Sequence, residues 1–285
     1  MRNLDAIPDL SLSDGTTIPQ LGFGVWQVPD DEAQVAVERA LGAGYRMIDT
    51  AQMYRNESGV GRAIAASGLD RDEVYVTTKV ANRNHGYDNT LRSYDESLER
   101  LGLEQVDLLL IHWPMPDFGT YLPTWQALVS LKEQGRVGSI GVSNFLQPHL
   151  EHVISETGVS PVINQIEMHP YLQQRDLRAA NAGHGIRTES YSPLGSGHGL
   201  LDDPDLTALA QAKDATVAQV VLAWHLAQGV VTIPKSVTPA RIEENLGALG
   251  VQLTEEDIAV IDAMDRGVRY GADPATAHFD PPAGH

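Results

Sequence analysis

The stretch GYRMIDTAQMYRNE (44–57) ends an apolar run in an acid, Asp49, and returns a phenol, Tyr54, five residues later. Two further apolar runs end in comparable groups: VYVTTK (74–79) in Lys79, and VDLLLIH (106–112) in His112, followed by Trp113. An acid, a phenol, an ammonium and an imidazole at neighbouring strand ends make a proton-handling set. A free tyrosine titrates near pH ~10 and is a weak acid at neutrality. A nearby ammonium stabilises its phenolate and lowers that pKa, while a carboxylate holds the ammonium in place. Such a phenol can donate a proton to an oxygen that is gaining negative charge. A neutral histidine donating a hydrogen bond helps to position that oxygen. The set suits a carbonyl receiving a hydride and needs no metal. Taken singly, Asp49 also reads as a turn cap, Tyr54 as a loop anchor and His112 as a core histidine. Lys79 is harder to dismiss, because a lysine pointing into a packed interior needs a partner. Thr50 and Glu57, in the opening stretch, read as ordinary capping residues.

These side chains need a scaffold that brings three strand ends to one place. Eight short runs read as strands. LGFGV (21–25), RMID (46–49), VYVTTK (74–79) and VDLLLIH (106–112) come first. VGSIGVS (137–143), PVINQIE (161–167), GIRTES (185–190) and VVTIP (230–234) follow. They lack clean alternation, as strands buried on both faces do. Helical patterns lie between them, at 30–44, 57–67, 90–101, 123–134, 147–156, 172–182, 216–228 and 239–248. In the first, Asp31 with Gln34 resembles a capping box, and Gly42 and Gly44 mark the exit. Two helices are extra, one at about 203–213 and one from Thr254, a plausible N-cap, to about Met264. LSLSDGTTI (10–18) adds an N-terminal hairpin around Asp14-Gly15. Eight β-then-α units predict an α/β protein with a (β/α)₈ TIM-barrel fold, whose chemistry sits at the C-terminal ends of the strands. The competing architecture is a doubly wound open sheet, but no G-x-G-x-x-G follows any expected strand. No linker or low-complexity stretch divides the chain, so residues 1–285 are expected to form a single domain. Its last segment, about 266–285, reads as an irregular C-terminal tail.

Composition narrows the partners. The formal net charge is −18, from 20 Lys plus Arg against 38 Asp plus Glu. A surface this acidic repels phosphate backbones, so nucleic acid is not expected as a partner. An anionic ligand must then find a local basic pocket, which makes clustered Lys and Arg informative. There are no cysteines, which removes disulfides and thiolate metal sites and fits a reducing, cytoplasmic setting. No run approaches the ~18 apolar residues of a membrane span. MRNLDAIPDL lacks an apolar segment of the secretory kind, so no signal peptide is expected. His149 and His152 are spaced i, i+3 without a third ligand, so no metal site is expected.

In the order they occur, GYRMIDTAQMYRNE, TTKV, LLLIHWP, GVSNF, INQIEMHP, ESYSPLG and IPKSVTPARIEEN resemble the successive signatures of the aldo-keto reductase superfamily. They run from about residue 10 to the tail, and look closest to bacterial 2,5-diketo-D-gluconate reductase-like members. The resemblance implies a barrel that binds NADPH in extended form and reduces aldehydes or ketones to alcohols. The expected substrates are small aldehydes, α-dicarbonyls or diketo sugar acids. By the resemblance Tyr54 is the general acid, Lys79 its modulator, Asp49 the partner of Lys79, and His112 orients the carbonyl. Ser143, Asn144 and Gln165 would bind the nicotinamide carboxamide and Tyr191, just after the seventh strand, would stack on its ring. The loop SPLGSG (192–197), with Leu194 and Ser196, would take the pyrophosphate. Thr238-Pro239 reads as an N-cap and first helical residue, so Lys235, Ser236 and Arg241 at that helix start form an anion site. The resemblance assigns it to the adenosine 2′-phosphate, with Glu244 and Asn245 near the adenine. Trp26 and Trp113 would wall the substrate pocket, completed by the loops at 114–121 and 196–203 and by the tail. Met47, where the family more often has His or Leu, is expected to affect packing only. The alternative is a non-catalytic NADP(H)-binding regulatory module, because some superfamily members serve as regulatory subunits. A monomer is expected from the family.

Overall fold

The computed structural model describes residues 7–281. Residues 1–6, which bear on a signal segment, and 282–285, the last of the tail, lie outside the described residues. A short antiparallel hairpin opens the fold, β1 (Asp9–Ser11) and β2 (Thr17–Pro19). The barrel strands follow: β3 (Phe23–Gly24), β4 (Met47–Asp49), β5 (Tyr75–Val80) and β6 (Leu108–Ile111). The other four are β7 (Ser139–Ser143), β8 (Ile163–Glu167), β9 (Arg187–Tyr191) and β10 (Val231–Thr232). All neighbours pair in parallel and in chain order from β3 to β10. The first and last strands then meet. Leu21 bridges Thr232, Gly24 bridges Lys235, and the Gly22 N–H donates to the Thr232 carbonyl at 2.9 Å. The expected (β/α)₈ barrel is present, and closure removes both sheet edges.

The helical ring begins with α1 (Asp30–Ala43), α2 (Glu57–Ala66), α3 (Tyr87–Leu101), α4 (Tyr121–Glu133), α5 (Gln147–Thr157) and α6 (Arg175–Gly183). The extra helix α7 (Pro204–Ala212) precedes α8 (Val217–Ala227) and α9 (Pro239–Leu246). The second extra helix is α10 (Glu255–Asp262), capped by the Thr254 hydroxyl as expected. The capping box expected at α1 is absent. That helix starts at Asp30 behind Pro29, and Asp30 instead accepts from the Gly59 N–H and Arg62 across the gap to α2. Gln34 turns to Glu38 and Arg62. Gly42 lies inside the helix, and Gly44, with φ 117°, ends it alone.

One apolar layer joins the strands to the helices around Phe23, Ile48, Val76, Leu109 and Val142. A second cluster fills the barrel's lower interior with Met47, Leu108, Leu110, Ile163 and Val231, together with Leu12 and Ile18 of the hairpin. The hairpin therefore plugs the N-terminal end. Met47 does pack beneath the site, and its sulfur fills the space where a Cβ on Gly22 would stand, 2.8 Å away. With one end plugged, the open cleft lies at the C-terminal end of the strands.

Candidate active site

Asp49 ends β4 and points inward, with Lys79 beside it on β5; both are buried to within 2%. The Lys79 Nζ donates to the Asp49 Oδ1 at 2.5 Å, to the Thr50 carbonyl at 3.0 Å and to the Tyr54 Oη at 3.3 Å. Tyr54 sits on a single 3₁₀ turn, Gln52–Tyr54, that brings its ring back over the strand end. That turn is held from below, since Gln52 donates to the Ser93 carbonyl and accepts from the Ala81 N–H. The His112 ring meets Tyr54 edge-on, 5.4 Å between centroids. The four groups expected at three strand ends thus converge.

Burial shapes their protonation. It is the largest influence on Tyr54 and pushes the phenol above its ordinary value; Lys79 pulls it down and Asp49 pushes it up. The phenol therefore rests higher, not lower, than a free tyrosine, because desolvation outweighs the ammonium. Burial alone would lower Lys79, but Asp49 and Tyr54 outweigh it, and the ammonium is raised. His112 is held far below the usual histidine range by burial, then by Lys79 and His85. It is neutral at pH 7. Its Nδ1 is buried without a hydrogen-bond partner.

Beyond the tyrosine the amides interlock. Gln165 donates to the Asp49 Oδ2 at 2.8 Å, and the Ser143 hydroxyl donates to the Gln165 carbonyl at 2.9 Å. Asn144 takes a left-handed backbone, φ 64°, a conformation asparagine tolerates well. It donates to the His112 carbonyl and to the Ser143 Oγ, both at 3.0 Å. Tyr191 is the last residue of β9 rather than beyond it, and its hydroxyl donates to the Asn144 Oδ1 at 2.8 Å. These groups are less free than expected, yet all of them line one cleft of about 1250 Å³. The cleft continues past Leu194 and Ser196 to Lys235, Ser236, Arg241, Glu244 and Asn245. Thr238 caps α9 by position, with Pro239 first and Arg241 in the opening turn. The Lys235 and Arg241 side chains have no hydrogen-bond or ion-pair partner among the described residues, although both backbones are engaged, Lys235 in the bridge to Gly24 and Arg241 in donating to the Thr238 carbonyl. Two unpaired cations at a helix start, on a chain of net charge −18, suit a phosphate.

Trp26 stands at the rim, 48% exposed, and Trp113 lies deeper, edge-on to Phe279 at 5.0 Å. The 114–121 loop contributes no lining residue, contrary to expectation. It buttresses the tail instead, where Asp117 pairs with His278 at 2.6 Å and Phe118 meets the same ring. His149 and His152 gather around Tyr121, and no metal-holding cluster occurs among the described residues. Glu57 is buried, accepting from Thr78 and Arg100, so it ties α2 to its neighbours rather than capping freely. Sequence reasoning missed two acids. Glu189 on β9 is buried in the barrel, and burial and Asp49 push its pKa up to about 8. Glu167, ending β8, accepts the N–H groups of Tyr270 and Gly271 at 2.7 and 2.8 Å and so fixes the tail over the cleft.

Comparison with known proteins places this geometry. The family model described as aldo/keto reductase matches residues 19–266. The chain belongs to the aldo/keto reductase family. It is 50% identical over 268 residues to methylglyoxal reductase DkgA of Yersinia pestis, covering 94% of this chain and 96% of that protein. The DkgA of Escherichia coli K12 is 46% identical over 266 residues, 93% and 96% of the two chains. Among solved structures, Gox0644 in its apo form superposes with TM-score 0.93 at 50% identity, covering 96% of this chain and 100% of that one. A mutant of the same protein in complex with NADPH superposes equally well. As a family member the chain is an NADP-dependent oxidoreductase that reduces carbonyl groups with NADPH. The regulatory-module alternative has no support from these relatives. No helix among the described residues is long and apolar enough to cross a membrane.

Proposed function

We propose that Tyr54 is the general acid of this aldo/keto reductase, with Lys79, Asp49 and His112 acting around it. The observation that carries this reading is the Lys79 ammonium, shared between Asp49 at 2.5 Å and the Tyr54 hydroxyl at 3.3 Å at the foot of the cleft. A phenol with a raised pKa stays protonated at rest, as a proton donor must. Lys79 stabilises the phenolate once the proton has left, and Asp49 fixes Lys79. Neutral His112 keeps its proton on Nε2, because Nδ1 has no partner to receive one. From there it donates to the substrate oxygen and holds it near Tyr54. In oxidation Tyr54 takes the proton back.

NADPH supplies the hydride when bound. The residues present fit it: Tyr191 offers a ring face anchored by its hydroxyl, and Ser143, Asn144 and Gln165 form a rigid polar wall for a carboxamide. Leu194 and Ser196 border the pyrophosphate path. Lys235, Ser236 and Arg241 hold the 2′-phosphate, and Glu244 and Asn245 border the adenine. Trp26 and Trp113 wall the substrate end, and the name methylglyoxal reductase carried by two relatives supports a small α-dicarbonyl as the substrate there. The chain works as one catalytic unit, a monomer in the cytoplasm. NADPH oxidation followed by absorbance against a panel of aldehydes and α-dicarbonyls tests this reading. Tyr54→Phe should retain NADPH binding and lose about 10²- to 10⁴-fold in turnover. Full turnover by that variant would exclude Tyr54 as the acid.

A further inference from the structure

The C-terminal tail meets the glycine-rich loop after β9 through stacked rings. Tyr270 stacks on His198, with centroids 4.2 Å apart and planes 11° from parallel, and also on His169, at 4.8 Å and 20°. The His169 side is fixed. His169 is fully buried, its Nε2 lies 3.1 Å from the Glu167 carboxylate, and the same carboxylate accepts the Tyr270 N–H. The His198 side is not. His198 is exposed, in a loop where Gly195, Gly197 and Gly199 have φ of 71°, 80° and 79° and Ser196 has φ 48°. Glycine-rich backbone of this kind is entropically costly to order. Tyr270 gives that loop an aromatic seat tied to the end of β8, and both rings line the main cleft.

We propose that Tyr270 is a positioning residue that clasps the 195–199 loop through His198, so that cofactor retention and tail placement are coupled. This rests on the cofactor path proposed above. With the stack formed, the loop is ordered before the cofactor arrives, and binding carries less of the ordering cost. When the tail lifts, the loop loses its seat. The tail also supplies Gly271, Ala272 and Phe279 to the substrate end of the cleft. A change at His198 is therefore felt by the carbonyl substrate as well as by the cofactor.

The experiment uses the full-length enzyme and reads NADPH dissociation by stopped-flow fluorescence with excess NADP⁺ as chase. His198→Ala and Tyr270→Leu should each speed dissociation roughly three- to tenfold, the scale of one aromatic pair. The double variant should be little faster than either single one. Each single change should raise KM for the carbonyl while leaving kcat unchanged or higher. Tyr270→Phe and His198→Tyr, which keep a stack, should behave like wild type. His198 is exposed, so its replacement does not threaten folding. Unchanged dissociation in His198→Ala, or single effects that multiply in the double variant, would overturn the clasp. If wild type itself fails to bind NADPH, the cofactor path is wrong instead, and the two failures are distinct.

Discussion

At the scale of single residues, the site is a balance between burial and charge. Lys79 and Asp49 are each nearly without solvent, so removing one leaves the other's charge unpaired. Lys79→Met should therefore lose about 3–5 kcal/mol of stability as well as activity. The double variant Asp49→Asn/Lys79→Met separates the two effects. Denaturant melts should show stability largely recovered, while turnover stays at least about 100-fold down because the phenolate has lost its cation. Recovery of turnover alongside stability would mean that Lys79 is structural only. Glu189 makes a second test. Burial and Asp49 raise its folded pKa from the ordinary 4.5 to about 8. Between those values the folded protein holds a proton that the unfolded chain has released, so stability falls as pH rises from about 4.5 towards 8 and levels off above it. A tenfold difference in proton affinity between the two states is worth about 1.4 kcal/mol, so the fall amounts to a few kcal/mol. Glu189→Gln should lack that slope in urea melts taken from pH 5 to pH 9. A slope unchanged in the variant would assign the proton to another group.

Among the elements, what was legible in sequence was whatever depends on a local run. Asp49 at the end of β4, Lys79 one residue short of the end of β5 and His112 one residue past β6 follow from apolar stretches, and the Thr254 and Thr238 helix starts follow from their residue types. The tail was not legible. Rich in glycine, alanine and proline, it reads as irregular, and among the described residues it has no regular element after α10. Yet it is held by partners distant in sequence: Glu167 for Tyr270 and Gly271, Asn82 for the Phe279 carbonyl, and Arg83 for Asp280. Glu189 was hidden for a similar reason, since an acid in RTES reads as a polar strand end until the barrel closes around it. Tertiary partners decide both cases. Glu167 offers a direct check on the tail. Burial alone would raise its pKa, but His169 and the two backbone N–H donors outweigh it and the pKa is lowered; each carboxylate oxygen accepts one of those backbone N–H groups. Glu167→Gln replaces one acceptor with an NH₂ facing another donor. The tail should detach, raising KM about tenfold with a smaller effect on kcat, and exposing the bonds after Arg266 and Arg269 to trypsin. The thermal midpoint should barely move, since the tail lies outside the barrel core. A large drop in midpoint with unchanged KM would place Glu167 in the stability of the barrel instead.

For the whole molecule the decisive quantity is a net charge of −18 around a local pair of cations, Lys235 and Arg241. A polyanionic cofactor meets these two fields at different distances. At 0.01 M salt the Debye length is ~30 Å, so an approaching NADPH feels the repulsion of the entire acidic surface. At 0.15 M it is ~8 Å, and only the pocket's own cations remain in range. Added salt should therefore speed NADPH association, the reverse of the usual outcome for oppositely charged partners. Dissociation should rise only modestly, because bonds to phosphate in a partly enclosed pocket are screened less than surface charges. Arg241→Ala removes the short-range attraction and leaves the long-range repulsion. It should weaken NADPH about 10- to 100-fold, as loss of charge-assisted bonds to a phosphate does, and NADH, which lacks the 2′-phosphate, far less. Stopped-flow association rates for both cofactors at 10 and 150 mM KCl separate the two fields. If wild-type association with NADPH slows as salt is added, the pocket cations dominate at long range and the repulsion by the acidic surface is negligible. If Arg241→Ala weakens both cofactors equally, the cation at the start of α9 does not hold the 2′-phosphate.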